Sequence, residues 1–334
     1  MAPAAVAAAR PSWLPRAPSP PRGRACSLRC AVPPGTGRPL HKPSSAAAPR
    51  TAEQALTDVT ISFSVPVQKS YCRSLQRQGR QPRCSQQTEV ASSVDDDEAC
   101  ELVRGADVVI GEGDDSVRAH LLEAVKNNNG TGVLLLSDVF GFEDSATRDF
   151  AYRVACNGYN VLVPDLFRGN PWRKSLPTDG FEQWLGTHSP ARVSGDIDAC
   201  TRWLADELTA AGLSRKLGVI GFCYGGARLV ETLARDSSSF RAGVCFYGSR
   251  MDAALGDRVR APVLFVCGDG DPLCPVDTVR ELVERRAGRG CSRAAVYAGR
   301  GHGFAHRPQS IEEDADAEDA FNAMRAWLHE HLLA

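Results

Sequence analysis

From residue 131 onward, short apolar runs alternate with stretches whose apolar positions recur at helical spacing. Thr131 to Ser137, Tyr159 to Val163 and Lys216 to Phe222 are continuous apolar runs, the pattern of strands buried on both faces. Further strands are predicted at Ala242 to Tyr247, Pro262 to Cys267 and Ala294 to Tyr297. Between them, Ala146, Phe150 and Val154 share one helical face, residues 190–211 carry a helical pattern, and Val276 to Arg286 reads as a helix. Another helix begins near Gly225. Ala317, Phe321, Met324, Leu328 and Leu332 line a last helix whose first turn is crowded with acids, where the macrodipole favours them. Strand and helix alternating in this way predict an α/β fold with a doubly wound, mostly parallel sheet. In such sheets chemistry collects at the carboxyl ends of the strands.

Upstream the pattern fades. Thr57 to Val67 alternates as a strand would, but Lys69 to Gln87 is rich in Gln and Arg, and Asp95-Asp96-Asp97-Glu98 forms an acidic junction. Residues 1–52 contain no Asp or Glu against seven Arg and one Lys, and eleven of the 21 prolines precede residue 50. An acid-poor segment of this kind, without the apolar stretch of a secretory signal, reads as an organelle transit peptide; a low-complexity tail is the alternative. Prolines between residues 11 and 21 interrupt the amphipathic helix of a mitochondrial signal, so a chloroplast is the expected destination and the cytoplasm the alternative. Processing is expected near Cys30 or near Cys84. The predicted organisation is a transit peptide over 1–52, a linker or transit continuation over 53–94, and one α/β domain over 95–334.

Composition narrows the class. A chain of 334 residues with 43% hydrophobic and 24% charged residues can bury a sizeable core. Its 39 basic and 40 acidic residues leave a net charge of −1, which argues against a broadly basic nucleic-acid binder. No apolar run approaches the ~18–20 residues of a membrane span. The twelve cysteines form no C-x-x-C pair and have no histidine at metal-ligand spacing, so reduced thiols are expected and no metal or cofactor is implied.

Three predicted strand ends carry candidate chemistry. The first is Gly221-Phe222-Cys223-Tyr224-Gly225-Gly226, a nucleophile elbow with Cys at its centre. Such a turn strains the central residue, and its glycines let backbones pass close. The thiol then faces a helix N-terminus, where the dipole favours thiolate. The second is Gly268-Asp269-Gly270-Asp271, and the third is Gly299-Arg300-Gly301-His302-Gly303-Phe304. Nucleophile, acid and histidine in that chain order suit a hydrolase in which His302 moves the proton and an aspartate orients it. Asp271 is the better candidate for that acid, while Asp269 suits turn formation.

Together with Ser137-Asp138-Val139-Phe140-Gly141 and Pro164-Asp165-Leu166-Phe167-Arg168-Gly169, these motifs resemble the dienelactone hydrolases over nearly all of residues 100–334. The resemblance implies an α/β-hydrolase fold, a Cys223–His302–Asp271 triad and an oxyanion hole of the Tyr224 and Val139 amides. It further implies a small ester or lactone substrate cleaved through an acyl-thioenzyme. Members acting on dienelactone restrain the resting thiol with a glutamate where Asp138 stands and clamp the substrate carboxylate with two arginines. Arg168 matches one of these; His306, with Arg307 beside it, stands at the other. A histidine does not make the bidentate fork of an arginine, which puts dienelactone itself in doubt as the substrate.

Other residues carry weaker expectations. Trp172, Phe142 and Tyr224 either line the pocket or belong to the core. His188, His329 and His331 are expected at the surface, Cys245 and Cys267 in the core, and Cys274 near the acid loop and exposed. Arg228 either steers anions or pairs with an acid. A glycoside hydrolase using Asp138 and Asp271 would leave the elbow and His302 without a purpose. A small-molecule receptor on a hydrolase scaffold is the alternative outside enzymes. A monomer or weak homo-oligomer is expected.

Overall fold

The computed structural model describes residues 102–334 apart from 236–238 and 287–290. The transit, linker, Thr57–Val67 strand and acidic-junction expectations therefore lie outside the described residues. The described chain forms one eight-stranded sheet in the order β1-β2-β4-β3-β5-β6-β7-β8. In sequence these strands are Val103–Ile110, Val117–Ala124, Gly132–Leu136, Asn160–Pro164, Leu217–Phe222, Phe240–Phe246, Val263–Gly268 and Arg293–Tyr297. Strands β1, β2 and β4 pair antiparallel, and every other pairing is parallel.

The principal helices are α1 (Ser145–Cys156), α2 (Phe181–Gly186), α3 (Pro190–Ala210), α4 (Tyr224–Arg235), α5 (Val276–Arg285) and α6 (Ile311–Leu328). Strands β3, β4, β5 and β7 are buried along their whole length, which is why they read as unbroken apolar runs. The β1–β2 hairpin was not among the predicted strands. β1 alternates poorly because four successive residues at its centre are exposed, so no two-residue apolar period marks it. Helix α2 also escaped prediction, since six residues cannot display a helical period.

Packing beneath the strand ends is aromatic. Phe150 on α1 meets Phe222 edge-on at 4.8 Å and Phe321 on α6 at 5.2 Å, while Phe222 stacks on Phe246 at 5.1 Å. Such pairs are worth about 0.5–1.5 kcal/mol each beyond their buried area. They tie β5 and β6, the strands that lead into the site, to helices on one layer.

The turn from β5 into α4 is built on close backbone approach. A Cβ at Gly225 would stand 2.2 Å from the Leu136 carbonyl oxygen, and one at Gly221 would stand 2.4 Å from the Gly225 carbonyl. Only glycine lets the first turn of α4 lie against the end of β3. Gly225→Ala should therefore cost about 3 kcal/mol, in the range of severe overpacking. Gly195→Ala, at an exposed position of α3 with open space around it, should instead gain about 0.5–1 kcal/mol. Urea unfolding of the two variants beside wild type checks both signs.

Candidate active site

Cys223 follows β5 directly and takes φ 51°, the left-handed region. An L-residue there costs about 1–2 kcal/mol, so the surrounding contacts must hold it. Its N–H donates to the Phe246 carbonyl at 3.1 Å, and its carbonyl accepts from Ser249 N at 3.0 Å and Gly226 N at 3.0 Å. The half-buried thiol donates to Ser249 Oγ at 3.6 Å. Tyr224 opens α4, so its N–H is one of the donors a helix leaves without an internal partner. The contact of Gly225 with the Leu136 and Ser137 carbonyls lays this helix start beside the segment leading to Val139.

His302, in the loop after β8, meets Asp271 from the loop after β7. Its Nδ1 lies 2.7 Å from Asp271 Oδ2, and the Asp271 side chain is fully buried. Asp271 Oδ1 accepts from Leu273 N at 2.9 Å, which fixes the carboxylate. With Nδ1 held by Asp271, Nε2 remains, buried and without a hydrogen-bond partner of its own. Burial opposes a charge on this ring, but a negative Cys223 sulfur and the Asp271 carboxylate outweigh it and raise the His302 pKa to about 10. Asp269 uses Oδ1 to accept from Gly299 N at 2.5 Å, tying together the two loops as a turn-forming residue does.

A second buried polar chain lies beside the first. Asp138 Oδ2 accepts from Arg307 Nε and Nη2 at 3.1 and 2.9 Å, and its Oδ1 accepts from Phe140 N at 3.0 Å. Arg307 Nη1 lies 2.7 Å from Asp144, and His306 Nε2 lies 3.4 Å from Asp138. His306 Nδ1 is hydrogen-bonded to the Tyr247 hydroxyl. Burial would raise the Asp138 pKa, but His306 and Arg307 hold it well below the usual carboxylate range. Burial lowers the His306 pKa against the pull of Asp138, and burial raises Tyr247 well above the phenol range. A protonated Tyr247 thus donates to a neutral His306 whose own proton sits on Nε2, toward Asp138.

Several expectations change. Asp138 is spent on Arg307, His306 and Phe140 N, and the thiol rests on Ser249, so the restraint implied for Asp138 is not what the geometry contains. Arg168 binds both carboxylate oxygens of Asp196, at 2.6 and 3.2 Å, and the Asp114 carbonyl, leaving no fork for a substrate carboxylate. His306 and Arg307 are likewise committed. Trp172 is buried against Phe181 and Trp184, and its backbone N–H donates to the Val139 carbonyl at 2.8 Å, so it supports the Val139 turn. Phe142 is buried beneath Arg118 and Arg148, with the core. Tyr224 is mostly buried against Phe167.

His188 is buried rather than at the surface, edge-on to Phe167 at 5.1 Å and Trp184 at 4.9 Å. His329 is exposed, whereas His331 packs edge-on to Trp327 at 4.3 Å. Cys274 is buried, not exposed, and a hydrogen bond to Cys267 together with burial raises its pKa. Arg228 pairs with Glu231 at 2.6 Å and covers the Tyr224 ring. Ser249 and Tyr247 were missed. Neither belongs to a motif, and only the fold brings the loop after β6 to the elbow. Among the described residues no cluster of His, Cys, Asp and Glu could hold a metal, and no helix is long and apolar enough to cross a membrane.

A mostly parallel sheet with a strained nucleophile turn after its central strand defines the α/β-hydrolase fold. Solved structures agree: a dienelactone hydrolase from Anabaena variabilis superposes with a TM-score of 0.53 at 16% identity, covering 70% of this chain and all of that one. The profile of the dienelactone hydrolase family matches residues 117–332. Carboxymethylenebutenolidase homologs of Rattus norvegicus and Homo sapiens are each 30% identical to this chain, over 209 and 210 residues, spanning 61% of it and 83% of each relative. The chain belongs to the dienelactone hydrolase family, and is an enzyme of the class that hydrolyses esters and lactones.

The Asp138–Arg307 pair yields a stability prediction. Arg307→Ala leaves a buried carboxylate without its cation and should cost about 3–5 kcal/mol at neutral pH. Because the depressed Asp138 pKa contributes stability that is fully present above about 4, the ordinary carboxylate pKa, and is lost as pH falls below it, the deficit should narrow as pH drops below about 4. Urea midpoints of the variant and wild type at several pH values measure it.

Proposed function

We propose that this chain hydrolyses small esters or lactones by a Cys223–His302–Asp271 triad through an acyl-thioenzyme. The observation that carries the reading is the Asp271–His302 contact at 2.7 Å, which leaves a buried, unpartnered Nε2 on a ring whose charge a negative Cys223 sulfur favours. With the Cys223 proton held on His302 Nε2 as a thiolate–imidazolium pair, the sulfur attacks the acyl carbon. The amides of Tyr224 and Val139 receive the developing oxyanion, a contribution of several kcal/mol in sites of this type. His302 then protonates the departing oxygen; in a lactone this remains tethered to the acyl group. Water, deprotonated by His302, releases the acid and restores the thiolate–imidazolium pair. Thiolate chemistry favours esters and lactones over amides, because the sulfur leaves a tetrahedral intermediate more readily than an amine does.

Glycoside hydrolysis finds no support in the two carboxylates it would need. Asp138 is held ionised by Arg307, and Asp271 is spent on His302. Neither is free to serve as the general acid of such a pair.

Cys223→Ala should abolish turnover of p-nitrophenyl acetate and of an unsaturated lactone while the protein stays folded by circular dichroism. Full activity in this variant would overturn the reading, and tight binding without product by the wild type would favour a receptor. Asp271→Asn should lose roughly 10³-fold or more in kcat, by analogy with the orienting acid of serine triads. Asp269→Asn should lose far less.

The pH dependence follows from His302. Its raised pKa keeps the imidazolium below about 10, and the charge is lost as pH rises through that value. The alkaline limb of kcat/KM should therefore fall near pH 10, not near 6.5, and Asp271→Asn should move it downward.

A further inference from the structure

Resting on the triad reading above, the disposition of charge around the strand ends addresses what the acyl group carries. Every half-buried or buried cation that follows these strands already faces an acid. Arg168 lies on both oxygens of Asp196. Arg307 spans Asp138 and Asp144, with side chains only 17%, 5% and 15% exposed. Arg228 lies on Glu231. Lys174, at 3.7 Å from Asp144, adds a second cation to the Asp138–Arg307–Asp144 group, so two carboxylates there face two cations. His306 is buried between Tyr247 and Asp138 and adds no fixed positive charge. Arg173 is exposed, where water and salt screen it. A substrate carboxylate therefore meets no uncommitted fork in this region. To be bound it must displace Asp138 or Asp144 from Arg307 and leave that acid unpaired.

Apart from Ser249, which contacts the sulfur, partly exposed groups of the neighbouring loops are apolar. Val139, Phe140 and Met251 are partly exposed and packed on the core, and Lys174 and Arg307 lie over the Phe140 ring at 4.7 and 5.1 Å. Phe167, Trp184 and Tyr224 form a continuous buried aromatic cluster with ring separations of 5.2 and 5.3 Å.

We propose that the enzyme takes acyl substrates without charge, neutral lactones or alkyl and aryl esters, and that Asp144 sets this specificity by neutralising Arg307. Asp144 touches no reacting atom, so it is a positioning residue acting through Arg307. It also caps α1, accepting from Ala146 N at 3.1 Å, a role asparagine fills equally well. Asp144→Asn thus removes the charge while keeping the cap, and leaves Arg307 with one acid in place of two.

The test compares a carboxymethylene-bearing unsaturated lactone with its methyl ester, using p-nitrophenyl acetate as a neutral reference, in the full chain and in Asp144→Asn. We expect wild type to favour the methyl ester by tenfold or more in kcat/KM, chiefly through KM. Asp144→Asn should narrow that ratio at least threefold by lowering KM for the acid alone, a change that general destabilisation would not make. Equal or better use of the free acid by wild type, with the reference hydrolysed in a Cys223-dependent way, overturns this inference and leaves the triad reading standing. A ratio unmoved by Asp144→Asn overturns the role of Asp144. Absence of turnover of all three compounds overturns the triad reading and this inference with it.

Discussion

The backbone crossing between Gly221, Gly225 and the end of β3 sets the terms for everything around it. With carbonyl oxygens standing where side chains would be, α4 must start against Leu136 and Ser137, and the residue at the corner can only take a positive φ. That residue is Cys223. The same crossing lays the Asp138–Phe140 turn on one side of the sulfur and the loop from Tyr247 to Met251 on the other. Among the described residues, four non-glycine positions have positive φ, Arg168, Cys223, Tyr247 and Arg250, and all follow the carboxyl ends of β4, β5 and β6. Strain is thus concentrated around the candidate site, held by strands that are buried except for Arg241 of β6.

Two buried acid–base chains meet at Tyr247. Its ring stands edge-on to His302 at 4.9 Å and stacks on His306 at 5.8 Å. These histidines are four residues apart and both are largely withdrawn from solvent, yet their pKa values move in opposite directions. The partners decide the difference. His302 has a full carboxylate at Nδ1 and a negative sulfur near the ring, with no cation to compete. His306 has a neutral phenol at Nδ1, and the charge of Asp138 is already answered by Arg307. One imidazole favours the charged state that the proposed triad would use and the other stays neutral as a spacer, although nothing in the three residues between them distinguishes the two.

The central parallel strands were legible in the sequence because burial on both faces makes them unbroken apolar runs. The elbow and acid loop were legible because each places a candidate residue among glycines that close approach demands, and the histidine loop because positive φ at Gly299 and Gly303 calls for glycine around the candidate histidine. The edge hairpin was not, since solvent on both sides of β1 erases its period. His188 was misjudged because a histidine two residues before a proline carries no sign of the aromatic layer that encloses it. The largest gap concerned charge. By the resemblance, Arg168 stands at one expected cation position and Arg307 beside the other, but whether a guanidinium is free depends on Asp196 and Asp144, which the linear sequence does not connect to them.

That dependence bears on the thiol as well. A carboxylate at hydrogen-bond distance from Cys223 would hold the proton on sulfur by repelling the thiolate. Aspartate, shorter than glutamate by one methylene, spends its two oxygens on Arg307, His306 and Phe140 N, and the sulfur rests on a neutral hydroxyl instead. A hydroxyl can accept from the thiol or donate to the thiolate, so it opposes neither state. The same ion pairs that strip Arg307 of a role in holding carboxylates therefore also remove an anion from beside the nucleophile. Binding and reactivity at this site are coupled through one buried guanidinium that touches neither the sulfur nor the ring that takes its proton.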